Sequence, residues 1–182
     1  MKERQTYEID RVLQEMRDEY WRGIEEGGET AAVETRDYVV FRLAGERYAL
    51  PSTVAREVLR MPRLVRVPRV AGHIRGVINL RGQIVAVTDL RPLLGLAVEE
   101  TPANGQLIVV EAAGLMTALL TERVEGIRAL ALASIEPVTE GLSGFPRDAA
   151  EGQVVGEDGL LVLLDLANIL ARPEFIIDQK GE

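Results

Sequence analysis

The stretch GVINLRGQIVAVTDLRPLLGL, residues 76–96, contains two apolar runs separated by Leu80-Arg81-Gly82. Valine and isoleucine favour strands, and a short break that contains glycine favours a hairpin turn. The second run ends at Asp89, a residue type that caps helices, and proline and glycine stand where the first turn and the end of a helix would lie. The stretch therefore predicts a β-hairpin followed by a short helix.

The same plan occurs twice in the chain. A shift of 76 residues lays GQVVGEDGLLVLLDLANIL, residues 152–170, on residues 76–94 without a gap. A shift of 69 lays residues 107–120 on a predicted hairpin in which YVVFRL and RYAL flank Ala44-Gly45-Glu46. Internal similarity of this kind indicates a duplicated unit. Each half would have about 65 residues and be marginally stable alone, so we expect two small barrels or sandwiches that share a packed interface.

Arg81 has no matching arginine in the second half of the chain. The residues that correspond to Leu80-Arg81-Gly82 in the second half are Gly156-Glu157-Asp158. The fold accepts either sequence at this turn, so the turn does not require an arginine. Arg81 is therefore a candidate binding residue, and the alternative is an ordinary exposed arginine in a turn.

Charge is unevenly distributed along the chain. Residues 1–36 carry a net charge of −4, residues 37–96 carry +6 and residues 97–182 carry −10. A basic middle between acidic ends indicates internal pairing or recognition of a partner. Nucleic acid is one possible partner, but Tyr48 is the only aromatic residue in residues 42–96, so the basic segment lacks stacking platforms.

The residues that enzymes commonly use are scarce. The chain has one histidine, His73, no cysteine, and lysine only at positions 2 and 180, which excludes cysteine-based zinc sites and a phosphate-binding GxxxxGK[ST] loop. A nucleophilic triad usually needs a positioned histidine, and we expect His73 in a turn or at a strand edge. The sequence predicts no enzyme, no metal and no cofactor.

Acidic residues of the second half were the remaining candidates for acid–base chemistry. They are Glu151, Glu157, Asp158 and Asp165. A role in a hairpin turn or as a helix cap explains each of these residues better than a catalytic role. The first residues lack the apolar core of a signal peptide and no apolar run reaches 18 residues. We therefore expect a protein of the cytosol that does not insert into the membrane.

The N-terminal region predicts an amphipathic helix. Apolar residues recur three and four apart on one face, and they are Ile9, Val12, Leu13, Met16, Tyr20 and Ile24. Gly27-Gly28 ends the pattern. The apolar face must pack against the chain's own domain, a second copy or a partner, because a helix of about 20 residues is only marginally stable alone.

The quoted stretch closely resembles the signature of CheW-like domains, the chemotaxis coupling proteins. The resemblance continues through VFRLAGERYALPSTVAREVLR, VPRVAGHIRG, LLTERVEGI and GLLVLLDLANIL. It covers about residues 37–175, with halves of about 37–98 and 105–175, and leaves 1–36 as a helical extension with a linker and 176–182 as a tail. It implies a mainly β fold of two SH3-like five-stranded β-barrels packed together.

The resemblance also implies a function. Such proteins are non-catalytic adaptors between the cytoplasmic tips of chemoreceptors and the regulatory domain of a CheA-type histidine kinase, in receptor arrays on the inner face of the membrane. The receptor tip, a helical hairpin, would lie in an apolar groove on the first half, between the barrels, and the kinase would contact mainly the second half. The alternatives are a CheW-like adaptor of an array that does not control motility and, more remotely, a nucleic-acid-binding barrel protein.

The family pattern places a receptor-binding site on this chain. The positions that match it are Glu57, Val58, Gly76, Asn79, Leu80, Arg81 and Gly82. Beside a helix groove, the guanidinium of Arg81 would donate two parallel hydrogen bonds to a receptor carboxylate, or bonds to the carbonyls at a helix C-terminus. The apolar neighbours would bury the helix face, and the glycines would permit a sharp turn or a close backbone approach.

Overall fold

The computed structural model describes residues 14–18, 32–100, 103–138, 144–173 and 175. The contacts divide the chain into two compact units, Met1–Glu34 and Thr35–Glu182. In the first unit, residues 14–18 are helical and exposed. The remainder of the predicted N-terminal helix and the predicted tail lie outside the described residues.

Ten strands of the second unit, counted over its described residues, form two five-stranded sheets. The β1 sheet has the order β8-β1-β2-β10-β9, with bounds Arg123–Ala131, Thr35–Leu43, Glu46–Pro51, Gly159–Leu164 and Ala150–Gly156. The β3 sheet has the order β3-β6-β7-β5-β4, with bounds Ala55–Arg60, Gln106–Ala112, Leu115–Thr121, Gln83–Thr88 and Ile74–Leu80. Helical elements in this unit are short: 3₁₀ turns at Ser52–Val54, Leu132–Ser134 and Arg147–Ala149, and an α-helix at Leu166–Leu170.

The two sequence halves exchange hairpins. The β1–β2 hairpin of the first half pairs with β8 and β10 of the second, and the β6–β7 hairpin of the second half pairs with β3 and β5 of the first. Each sheet therefore contains strands of both halves, which differs from the simple expectation of one barrel in each half. The exchange joins two halves that are each too small to bury a sufficient core.

Three apolar clusters fill the unit. The largest lies between the sheets and includes Phe41, Leu50 and Ile108 together with the helix Leu166–Leu170. Each sheet has in addition a smaller cluster of its own, one around Val87 and one around Leu163. These two residues match under the shift of 76, and both are completely buried, as the duplicated plan predicts. Central strands are buried on both faces because alternate residues point to different clusters.

Two equivalent glycines permit close backbone crossings. A Cβ on Gly76 would lie 2.6 Å from the carbonyl oxygen of Val65, and a Cβ on Gly152 would lie 2.8 Å from that of Glu136. At each crossing the passing segment forms a bridge with the residue after the glycine, Val65 with Val77 and Glu136 with Gln153. Within residues 61–70 this bridge, at Val65, is the single β-pairing. Glycine is needed at both positions because any side chain would meet a backbone oxygen.

We predict that Gly152→Ala lowers the free energy of unfolding by about 1–3 kcal/mol, the usual cost of overpacking. Gly76→Ala should behave in the same way. Gly72→Ala is the matched control, because a Cβ on Gly72 meets nothing within 4 Å. Urea unfolding measures all three variants, and equal stability of Gly152→Ala and Gly72→Ala would contradict the crossing.

The helix predicted after Asp89 is absent, so that prediction is wrong. Residues 91–95 form turns instead, whereas the equivalent Asp165 caps the helix Leu166–Leu170 by accepting a hydrogen bond from Asn168 N–H at 3.0 Å. The Asp89 carboxylate accepts from Arg91 N–H, two residues ahead, at 3.0 Å. Because this carboxylate also binds guanidinium groups, it does not act as a helix cap.

Asp89 is completely buried between two arginines. The side chains of Arg75 and Arg91 each donate two hydrogen bonds to it, at 2.8 and 2.9 Å. Burial alone would raise the pKa of Asp89, but the hydrogen bonds from Arg91 and Arg75 outweigh burial and hold its pKa below the usual range. The carboxylate therefore stays ionised and joins the start of β4 to the turn after β5.

This cluster predicts a specific acid sensitivity. The pKa of Asp89 is lower in the folded than in the unfolded chain, so its contribution is present above the unfolded pKa of about 3.9 and is lost as the pH falls through the folded value. Asp89→Asn should lower the free energy of unfolding at pH 7 by about 3–5 kcal/mol, because it leaves buried guanidinium charge without its counterion.

Urea unfolding between pH 7 and pH 3 tests this. Asp89→Asn should flatten the loss of stability at low pH, whereas the control Asp148→Asn, at an exposed carboxylate paired with Arg172, should change little. An unchanged acid dependence in Asp89→Asn would contradict the assignment.

Candidate functional site

All seven predicted receptor-binding residues lie in the β3 sheet or its β4–β5 turn. Two are in β3, three are in β4 and two form the turn, in the order Glu57, Val58, Gly76, Asn79, Leu80, Arg81 and Gly82. Strands β3 and β4 are the two edges of this sheet. The structure nevertheless connects the residues of β3 with those of β4 and its turn, because the side chains of Glu57 and Arg81 form an ion pair.

Glu57 and Arg81 form a bidentate ion pair. The Nη1 and Nη2 atoms of Arg81 donate to the two carboxylate oxygens of Glu57 at 2.9 and 2.8 Å. The Arg81 side chain is 77% exposed and that of Glu57 is 24% exposed. The parallel hydrogen bonds that we expected toward a receptor are thus made to a carboxylate of this chain, and the guanidinium remains on the surface with further N–H donors.

The turn that carries Arg81 has an unusual backbone. Arg81 and Gly82 have φ of 50° and 87°, the left-handed pair that suits a two-residue hairpin turn. The side-chain oxygen of Asn79 accepts from Gly82 N–H at 2.8 Å and holds the turn. In the equivalent turn the positive φ falls instead on Gly159, at 94°. The two turns therefore differ in conformation as well as in charge.

Each sheet carries an ion pair from an edge strand to the turn at its opposite edge, and the charges of strand and turn are reversed between the two sheets. In the β1 sheet, Arg128 of the edge strand β8 pairs with Asp158 of the β9–β10 turn at 3.1 Å, so the strand is basic and the turn acidic. These two pairs do not stand at matching positions, but two others do: a shift of 69 relates Arg56–Glu111, at 2.8 Å, to Glu125–Arg42, at 2.7 Å, with the signs reversed. One sheet thus presents a cationic turn and the other an anionic turn in comparable positions.

Exposed apolar side chains accompany both turns. Val58 and Ile84 are 44% and 64% exposed in the β3 sheet. Their equivalents, Ile127 and Leu160, are also exposed in the β1 sheet. Sequence reasoning included Val58 but missed Ile84, although Ile84 lies opposite Asn79 in the hairpin and period-two alternation would have placed both on the outward face.

An apolar groove lies on the β3 sheet. Its volume is about 580 Å³, and β4, β5 and β7 form one side, with Val77, Ala86 and Leu115 among the lining residues. Leu170 and Phe175 of the second half also line it. Because Val77 and Asn79 share one face of β4, the groove and the Arg81 turn lie on the same outward face of the β4–β5 hairpin.

His73 lies in this groove. It occupies the turn before β4, as expected, but it is buried and its ring centroid is 4.6 Å from that of Phe175. Burial beside an aromatic ring makes His73 part of the groove wall.

Three of the four acidic residues considered for catalysis have structural contacts. Glu151 pairs with Arg36 at 2.9 Å, Asp158 pairs with Arg128, and Asp165 caps a helix. Within the described ranges, no three histidine, aspartate or glutamate side chains are grouped so that they could hold a metal ion. No helix in that part of the chain is long and apolar enough to cross a membrane.

Comparison with known proteins gives consistent matches. Residues 37–174 match the family model described as CheW-like domain. The chemotaxis protein CheW of Rhizobium meliloti is 24% identical over 139 residues, which cover 76% of this chain and 90% of that protein. The chemotaxis protein CheW of Bacillus subtilis is 28% identical over 142 residues, which cover 78% and 91%.

A solved structure has a similar fold. The crystal structure of the scaffolding protein TtCheW from Thermoanaerobacter tengcongensis matches with a TM-score of 0.68 and 27% sequence identity. The match covers 78% of this chain and 96% of that one.

We predict that the Glu57–Arg81 pair contributes little to stability. A double-mutant cycle with Glu57→Gln and Arg81→Gln should give a coupling energy of about 0.2–1 kcal/mol, because exposed ion pairs are screened by water and salt. Urea unfolding at low and high salt measures it, with the Arg56–Glu111 pair as an exposed reference. A coupling energy above about 2 kcal/mol would instead make the pair a structural bond between the sheet edges.

Proposed function

The chain belongs to the CheW-like domain family, and from this we propose that it is a non-catalytic adaptor that couples chemoreceptors to a CheA-type histidine kinase in chemotaxis signalling. The observation that carries the proposal is the pair of equivalent surfaces with different chemistry. The β3 sheet offers a cationic turn beside an apolar groove, and the β1 sheet offers an anionic turn beside exposed apolar residues. A coupling protein needs two such surfaces, each able to select its own partner.

The receptor surface in this proposal is the outward face of the β4–β5 hairpin. A helical hairpin would bury its apolar stripe in the groove and against Ile84, in the helix-in-groove mode. Gly82 leaves space at the turn, since a Cβ there would meet nothing within 4 Å. Asn79 and Leu80 lie at the end of β4 beside this turn, and Val58 follows Glu57 in β3.

Glu57 has a positioning role in this proposal. It holds two N–H groups of Arg81 and thereby orients the remaining donors of the guanidinium toward the partner. An arginine oriented in advance loses less side-chain entropy on binding than a free one. Gly76 acts differently, since its contact with Val65 positions β4 and the hairpin from inside the fold.

The kinase surface in this proposal is the β1 sheet. Ile127, Val155 and Leu160 are exposed there, and Glu157 and Asp158 form the adjacent turn. Its acidic turn would repel an acidic partner, which the Arg81 turn of the β3 sheet would attract, so the two sheets would not compete for one ligand.

The proposal extends to the closure of each sheet into a barrel. Each five-stranded sheet has its own apolar cluster on one face and an ion pair from an edge strand to a turn at the opposite edge. These features support two SH3-like barrels. The adaptor would act in the cytoplasm, in receptor arrays on the inner face of the membrane.

Affinity measurements with both partners test the proposal. Arg81→Ala should weaken binding to a receptor-tip fragment by about 1–3 kcal/mol, the usual loss for a charged interface contact. Arg81→Lys should restore part of it, because an ammonium group cannot donate two parallel bonds. Binding to the regulatory domain of the kinase should be unchanged. Leu160→Ser should show the opposite pattern.

The control is Arg123→Ala, which removes an exposed arginine of the β1 sheet and should leave receptor binding unchanged. Equal loss of both partners in Arg81→Ala, together with a lowered melting temperature, would assign Arg81 to the fold. Failure of the wild-type chain to bind either partner would contradict the adaptor function.

A further inference from the structure

Residues 58–88 contain six arginines and no acidic residue. Arg75 and Arg81 pair with Asp89 and Glu57. The other four occur at every third position and are exposed, namely Arg60, Arg63, Arg66 and Arg69. None of these four forms an ion pair with a residue that the structure describes. We call residues 60–69 the arginine segment.

This row contrasts with the arginines around it. Arg42, Arg56 and Arg128 are also exposed, and each pairs with a carboxylate of the same sheet. The chain as a whole has a net charge of −8, so carboxylates are abundant elsewhere on it. Glu99 and Glu100 line a depression together with Arg66, but neither is within ion-pair distance of it. A row of cations without ion pairs to described residues produces a local positive potential, which attracts an anionic partner.

The end of the arginine segment lines the apolar groove. Val67 and Arg69 line the groove itself. A second depression of about 530 Å³ is lined by Met61, Leu64 and Arg66 and shares Val67 with the groove. Positive charge and exposed valine thus alternate along a single rim, beside a surface that is mainly apolar.

We propose that the arginine segment selects a partner helix that carries a row of carboxylates beside its apolar stripe. The stripe enters the groove and the carboxylates pair with the arginines. This inference rests on the proposed function and names the chemistry of the receptor helix that binds there. It assigns the selection of that helix to residues 60–69, in addition to the predicted site around Arg81.

The spacing of the arginines specifies the spacing of the carboxylates. Three residues of chain span at most about 10 Å, and seven residues of an α-helix rise about 10.5 Å. Successive arginines therefore match aspartate or glutamate residues that are at most one heptad apart. Charge pairs at the rim of an interface mainly raise the association rate and the discrimination between partners.

Nucleic acid fits this surface less well. Residues 58–88 contain no phenylalanine, tyrosine or tryptophan, so the segment has none of the aromatic platforms on which bases stack. Its exposed Val65 and Val70 suit an apolar helix face better than a phosphate backbone.

Two designed helical peptides test the inference with the full chain. Both have the same leucine stripe, and they differ only at flanking heptad positions, which are glutamate in one and glutamine in the other. By fluorescence anisotropy the glutamate peptide should bind about tenfold more tightly at 50 mM salt, and the difference should shrink at 300 mM salt because rim charges are screened.

Arginine variants locate the effect. Arg63→Gln combined with Arg66→Gln should abolish the preference for the glutamate peptide, leave the affinity for the glutamine peptide unchanged and keep the melting temperature. Arg123→Gln is the matched control and should keep the preference, because Arg123 is exposed and has no ion pair with a described residue but lies in the β1 sheet.

Equal binding of the two peptides, or a preference that survives the double substitution, would overturn the inference. Tight, salt-dependent binding of a single-stranded oligonucleotide that displaces the glutamate peptide would also overturn it. If the double variant still captures receptor tips as well as the wild type does, the inference fails and the adaptor function stands. Loss of capture in the double variant alone supports the inference.

Discussion

Pairings between strands of different sequence halves hold the molecule together: β1 with β8 and β3 with β6 are antiparallel, and β2 with β10 and β5 with β7 are parallel. The parallel pairings are short, with Tyr48 opposite Val162 in one and Val87 opposite Ala118 in the other. Each joins a hairpin of one sequence half to strands of the other half, so neither sheet is complete without both halves. The shared core between the sheets, with Phe41 and Ile108 fully buried, follows from this exchange. Folding of the halves is therefore coupled, as expected for units that are too small to be stable alone.

Duplication has kept the geometry of the two sheets and changed their charge. The glycine crossings at Gly76 and Gly152 are the same, because backbone atoms that nearly touch allow no other residue. The exposed ion pairs are free of this constraint: Glu125–Arg42 stands at the positions that match Arg56–Glu111, with the signs reversed, and Glu157 stands at the position that matches Arg81. Reversal costs little stability, since exposed pairs contribute little. It gives one compact fold two surfaces of different specificity, which is the property that an adaptor requires.

Arginine has three different roles in this chain, and burial and pairing distinguish them. Arg91 is buried on Asp89 and stabilises the fold. Arg81 is exposed but oriented by Glu57. Arg63 and Arg66 are exposed and without an ion pair among the described residues, which leaves their charge available to a partner. By sequence alone, all of these arginines belong to one segment, residues 37–96, with a net charge of +6. The proposed receptor surface depends only on the arginines of the last two roles.

The sequence by itself determined the strands, the hairpin at Gly45, the duplication and the equivalence of Val87 with Leu163, because alternation and turn residues act over a few positions. The family pattern also predicts a receptor-binding site around Arg81, and this stays a prediction. Only the tertiary structure decided which hairpin joins which sheet, because pairing between distant strands leaves no local signal. It likewise decided that Asp89 binds guanidinium groups rather than capping a helix, and that Arg81 has Glu57 as its partner. Those contacts join residues 14 and 24 positions apart, and they form only when the strands between them have been folded into one sheet.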